Sequence, residues 1–208
     1  MTEHFTFFLN CFVTLFSVID PFGAAVTFLA LTSDDIAEKR AGQAARSVRV
    51  TVVALVVVAF MGSAILKFFG ISIQAIMISG GLILVMVSFR MLEGNALIYR
   101  SSRLEREEGE KKEDISIIPM AIPVLAGPAA ITTVMVFANR ANGVGDWVAL
   151  FAALALSMAL THVILQKSEV MANWLGTTGL RVLTRAMGLI LSAMGVEFVL
   201  SGVKGYFW

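Results

Sequence analysis

The chain has 208 residues, 58% of them apolar and 15% charged, with 16 Lys and Arg against 15 Asp and Glu and a formal charge of +1 at pH 7. Together with a mean hydropathy of +0.84, these values exclude a soluble globular domain and leave no basic surface for a nucleic-acid partner; the chain reads as an integral membrane protein. One cysteine, Cys11, excludes an intrachain disulfide, so the fold rests on helix packing.

Six apolar runs reach the roughly twenty residues that about 30 Å of hydrocarbon demands: Phe5 to Leu31, Val50 to Phe69, Ile71 to Leu92, Ile117 to Asn139, Trp147 to Gln166 and Val182 to Val203. The expected fold is therefore all-α and polytopic, a single transmembrane domain over residues 1–208. Met1-Thr2-Glu3-His4-Phe5 carries no basic n-region, and no small-residue cleavage site follows the first run. That run is accordingly read as a retained span and not as a signal peptide.

Span one contains Ile19-Asp20-Pro21-Phe22-Gly23-Ala24-Ala25. A proline inside an apolar run frees backbone groups that lipid cannot satisfy, so such a break survives only where it is buried in protein or lines a cavity. Asp20 followed by Pro21 reads as an N-cap followed by an N1 proline, starting a second half-helix. A carboxylate at this depth costs on the order of 2.5–3.5 kcal/mol on insertion scales, which marks Asp20 as functional as well as capping. Thr27 lies two turns further on. Thr32-Ser33-Asp34-Asp35 resembles a capping box that opens a helix from Ile36 to Ser47, running into span two.

In span three, Gly80 and Gly81 are read as a site of close helix approach. The connection from Glu93 to Ser116 is dense in both charges and reads as a linker between two halves. Span four carries the second break, Ala126-Gly127-Pro128-Ala129-Ala130-Ile131-Thr132-Thr133, where Gly127 caps, Pro128 opens a half-helix, and the Thr132 and Thr133 hydroxyls lie one turn in. In span six, Gly188, Ser192, Gly195 and Gly202 form a small-residue packing stripe, with Glu197 on the opposite side as a coupling candidate.

A shift of 107 residues lays Pro21 on Pro128 and Gly81-Leu82-Ile83-Leu84 on Gly188-Leu189-Ile190-Leu191 without a gap. Each half has an odd number of spans, so the expected arrangement is a three-plus-three inverted repeat. Residues 1–92 form one half, 93–116 the cytoplasmic linker and 117–208 the other, with helices one and four broken near the midplane. Inversion aims two positive half-helix ends at one cavity, a site for a carboxylate. The bland alternative is a pair of simple kinks.

Thirteen of the sixteen cations gather at the connections after spans one, three and five, leaving Lys67, Arg140 and Lys204 for the other side. Positive-inside bias then puts both termini in the periplasm of a bacterial inner membrane. The chain has no Walker loop, zinc-ligand cluster or nucleophile elbow, so neither ATP use, an enzyme, a metal nor a cofactor is expected.

The most specific motifs are Asp20-Pro21-Phe22-Gly23-Ala24-Ala25, Ile78-Ser79-Gly80-Gly81, Pro119-Met120-Ala121-Ile122-Pro123-Val124-Leu125-Ala126-Gly127-Pro128 with Ile131-Thr132-Thr133, and Thr184-Arg185-Ala186-Met187-Gly188-Leu189. Through them the chain resembles, essentially end to end, the MarC family of bacterial and archaeal membrane proteins, related to the LysE-type amino acid exporters. The resemblance implies a six-span carrier, with relatives that move small neutral amino acids such as glycine and alanine, and it adds Arg185 to Asp20 and Glu197 as a coupling candidate. Val26, Ala129 and Met77 depart from the family pattern, where proline, glycine and arginine are usual.

The expected function is a secondary transporter, exporter or exchanger, of small neutral amino acids. Its expected substrate-binding residues are Asp20, Pro21, Gly23, Thr27, Gly127, Pro128, Ala129, Thr132 and Thr133, with Gly80, Gly81, Gly188 and Gly195 packing helices around them. A proton or sodium gradient supplies the energy, and the sequence leaves room for a homo-oligomer. The alternatives are a passive channel, a non-transporting membrane partner or a drug efflux carrier.

Overall fold

A computed structural model describes residues 2–32, 35–93 and 114–207, nearly all of them helical. The order is α1 (Thr2–Ile19), α2 (Pro21–Leu31), α3 (Ala37–Phe68), α4 (Ile73–Glu93), an irregular coil over Ser116–Leu125, α5 (Pro128–Arg140), α6 (Val144–Gln166) and α7 (Ser168–Phe207). Uninterrupted apolar sequence dictates this outcome, because a helix satisfies its own backbone where no water can. Among the described residues, five stretches are long and apolar enough to cross a membrane: Glu3–Leu31, Ala37–Phe68, Ile73–Glu93, Val144–Gln166 and Arg181–Phe207. The Ser116–Leu125 coil with α5 makes a sixth if counted as one span bent by 59°. Most of the charged linker expected at 93–116 lies outside the described residues.

Two local expectations are corrected. Ser33 and Asp34 of the supposed capping box lie outside the described residues, and α3 instead starts at an N-cap, Ile36, that makes no side-chain hydrogen bond. Asp35 pairs with Lys39 at 2.6 Å, while the Thr32 hydroxyl donates backwards to the Phe28 carbonyl at 2.7 Å and closes α2. The second correction concerns span four, whose first part is no regular helix. Pro119 and Pro123 follow cis peptide bonds, Ile118 and Ile122 leave helical backbone geometry, and wide turns carry Met120 N–H to Ile115 O and Ala126 N–H to Ala121 O. Prolines four apart remove two successive ladder donors, so the chain resolves into wider turns. α3 packs along this coil and buries Gln43, Ser47 and Thr51, a polar line at four-residue spacing.

The most extensive helix pair is α4 with α7, and it is built on glycine. A Cβ on Gly81 would lie 2.5 Å from the Gly195 carbonyl oxygen, one on Gly195 2.8 Å from the Gly81 oxygen, one on Gly188 3.2 Å from the Ser88 oxygen, and one on Gly202 2.9 Å from the Gln74 oxygen. Gly188, Gly195 and Gly202 recur every seven residues, two turns, so the backbones meet along one line. Near its start α7 is interrupted by Gly176, whose φ of 62° lies in the left-handed region that glycine adopts without strain.

Other close pairs include α1 with α6, α3 with the Ser116–Leu125 coil, α5 and α6, α2 with α7 and α6, and α4 with α5. Charged contacts mark the two ends of the bundle. At one, His4 Nδ1 meets Asp146 Oδ1 at 2.7 Å. At the other, Arg40 pairs with Glu169 at 2.7 Å, and Arg46 pairs with Asp114. A hydrogen bond from the Ser116 hydroxyl holds the Asp114 carboxyl below its ordinary range.

Candidate functional site

The first break is confined to one residue. Asp20 has φ 46° and ψ 71°, a left-handed conformation that Asp tolerates better than most side chains, and α1 and α2 still run on as one span. Backbone bonds flank it closely, Asp20 N–H to Phe16 O at 3.1 Å and Ala24 N–H to Asp20 O at 2.9 Å. Its carboxylate folds back over the first turn of α2 and accepts the Gly23 N–H at 3.1 Å. This placement depends on Gly23 being bare, since a Cβ there would sit 2.2 Å from Asp20 Oδ2. One turn further, the Thr27 hydroxyl donates to Gly23 O at 3.2 Å. Asp20, Pro21, Gly23 and Thr27 are all buried, Asp20 completely.

The second break is built differently. Gly127 caps α5 in extended geometry, and no side chain caps the helix with it. Pro128 is exposed, Gly127 half-buried and Ala129 buried. The Thr132 hydroxyl donates to Pro128 O at 2.7 Å, and its methyl group fills the notch at Gly80, where a Cβ would approach it to 2.2 Å. Gly80 therefore seats α5 against α4. Thr133 is fully buried, and its hydroxyl meets no hydrogen-bond partner among the described residues.

The two half-helix starts are thus unequal. The expectation of two open, positive helix ends needs amending at α2, whose Gly23 N–H is already taken by the Asp20 carboxylate. An anion of the protein's own occupies that end, whereas the α5 end carries no side-chain acceptor. One break therefore presents a carboxylate and the other a positive helix terminus.

Of the coupling candidates, Asp20 forms the first break, and the other two lie on α7. Glu197 is exposed on α7, one turn from Ser201, whose hydroxyl donates to it at 3.3 Å; Arg185 is exposed near the middle of the same helix. Arg140, which the sequence reading left aside, closes α5 with its guanidinium 5.5 Å over the Phe198 ring and Nη2 3.9 Å from Met77 Sδ. Pro119 and Pro123, two prolines at i and i+4, are a readable signal of the irregular stretch before the second break. Arg40, by contrast, offers none, because its partner Glu169 is 129 residues away.

Residues 5–207 match the family described as MarC family integral membrane protein. The chain is 37% identical to a UPF0056 membrane protein of Methanocaldococcus jannaschii, over 96% of this chain and 97% of that one. It is 31% identical to the UPF0056 membrane protein YhcE of Escherichia coli, over 98% and 94%, and 33% identical to YvbG of Bacillus subtilis, over 98% and 97%. No solved structure matches the chain.

Proposed function

The chain belongs to the MarC family of integral membrane proteins, and from that footing we propose that it is a secondary transporter of small neutral amino acids such as glycine and alanine. The observation that carries this reading is the unequal pair of proline-led breaks at membrane depth. A zwitterion has one cationic and one anionic group; the buried Asp20 carboxylate complements the first and the uncapped start of α5 the second. Gly127 and Ala129 keep bulky side chains away from the start of α5, which suits a small substrate.

We read the architecture as two inverted three-span halves working by alternating access. Reciprocal packing supports this: α1 pairs with α6 as the second broken span pairs with α3, and α2 lies on α7 as α5 lies on α4. The 107-residue shift also turns the Gly81–Gly195 contact into the Gly188–Ser88 contact, and both occur. In this reading Lys67, Arg140 and Lys204 mark the periplasmic side of a bacterial inner membrane, and the other cations mark the cytoplasmic side. A proton or sodium gradient drives the cycle, with Asp20 as its first titratable candidate.

Reconstituted protein tests the reading. Saturable accumulation of labelled alanine or glycine, driven by an imposed gradient, supports a carrier; flux that rises linearly with concentration and never exceeds equilibrium means a pore and removes the proposal.

A further inference from the structure

The route from Asp20 toward the Arg40 end of the bundle is sealed. Asp20, Thr27 and Thr32 along α2 are all at most 2% exposed. One side chain holds the far end of α2 in place. Arg40 donates from Nη2 to the Thr32 and Asp35 carbonyls, both at 3.1 Å, and from Nη1 to Glu169 Oε2 at 2.7 Å. The two carbonyl acceptors belong to the C-terminal end of α2 and the turn after it, where a cation also meets the favourable end of the helix dipole. The carboxylate belongs to the first turn of α7, in the other half of the chain.

α2 is a rod of 11 residues, about 16 Å at 1.5 Å per residue, with Asp20 at one end and the Arg40 contacts at the other. Displacing its far end moves the break. Glu169, moreover, sits on the short stretch of α7 before the left-handed Gly176, a point where the backbone can turn without disturbing the long packed portion beyond.

We propose that Arg40 is the latch that keeps this end of the bundle closed over the Asp20 break, by tying the end of α2 to Glu169 of the opposite half. This rests on the transporter reading for its purpose, but its test does not require transport. Release of Glu169 frees α2 to tilt and opens the buried line from Thr32 to Asp20; re-formation of the pair closes it. Because Glu169 is largely exposed, the pair is worth a small factor, about twofold to fivefold in the open fraction.

The assay is labelling of purified full-length protein in detergent by a bulky hydrophilic maleimide. One reporter is Thr27→Cys, on α2 itself, in a Cys11→Ala background; the second is the native Cys11, fully buried in α1. Glu169→Gln and Arg40→Gln should each raise labelling at position 27 by about twofold to fivefold and leave Cys11 unchanged. The double variant should be no more reactive than Arg40→Gln alone, as expected for partners in one contact. Unchanged labelling in Glu169→Gln, additive effects in the double variant, or a parallel rise at Cys11 would each overturn the latch, the last by showing general loosening. If labelling behaves as expected and no amino acid is transported, the latch stands and the transport reading falls.

Discussion

Replacing Gly23 by alanine puts two opposed effects in competition at the heart of the first break. The new Cβ would lie 2.2 Å from Asp20 Oδ2 and 3.0 Å from its Cγ, so the carboxylate must swing away and give up the 3.1 Å bond from Gly23 N–H. Losing the cap costs about 1 kcal/mol, and leaving the buried acid without that donor adds about 1–3 kcal/mol. Alanine returns at most about 1 kcal/mol of helix propensity. The net effect is a destabilisation of about 1–3 kcal/mol. Gly42 on α3 supplies the control, since nothing lies within 4 Å of a Cβ built there; Gly42→Ala should stabilise by about 0.5–1 kcal/mol. Thermal unfolding of the two variants in detergent should therefore shift in opposite directions, by about 2–4 °C per kcal/mol for a chain of this size. A Gly23→Ala midpoint as high as that of Gly42→Ala would mean that the carboxylate does not occupy the notch, and the account of the first break would fail.

Asp20→Asn keeps the cap, because Asn caps about as well as Asp, so the variant should fold while losing either gradient-driven accumulation or substrate binding; wild-type uptake would leave Asp20 a cap alone. Gly127→Leu should abolish uptake in protein that still elutes as a folded species, because its side chain would fill the space before the α5 N–H groups, although the Pro123 carbonyl 2.9 Å from the Cβ position will cost some stability. Gly195→Ala should destabilise by about 1–3 kcal/mol, as its Cβ meets backbone at Gly81 and Val85; denaturant midpoints measure this, and an unaltered midpoint counts against the seam. In a Cys11→Ala background, impermeant thiol reagents should reach Phe69→Cys but not Arg49→Cys in intact cells, and the reverse pattern would invert the orientation.

What could be read in advance follows the range of the interactions involved. Asp20-Pro21 is legible because an N-cap and an N1 proline act within one turn, and the glycine stripe of α7 is legible because a helix converts seven-residue spacing into one face. The Thr32–Asp35 box misleads for a related reason: several local partners compete for the same side chains, and Lys39 and the Phe28 carbonyl win. Inequality of the two breaks is half legible, because the caps differ, Asp20 at one and Gly127 at the other, but only the fold of the Asp20 side chain over Gly23 shows that the first helix end is filled. The Arg40–Glu169 pair is invisible for want of any local pattern.

The seam between α4 and α7 bears on how such a molecule is able to move. Where main chain rests on main chain, no side chains stand between the two rods to change rotamer, and sliding by less than the seven-residue repeat would drive Cβ atoms of neighbouring residues into carbonyl oxygens. Separation is also unfavourable, because it gives up the close backbone contact that the glycines allow. The two rods, one from each half, therefore behave as a common spine, and rearrangement is left to the elements hung on either side of it: the two broken spans, α3 and α6.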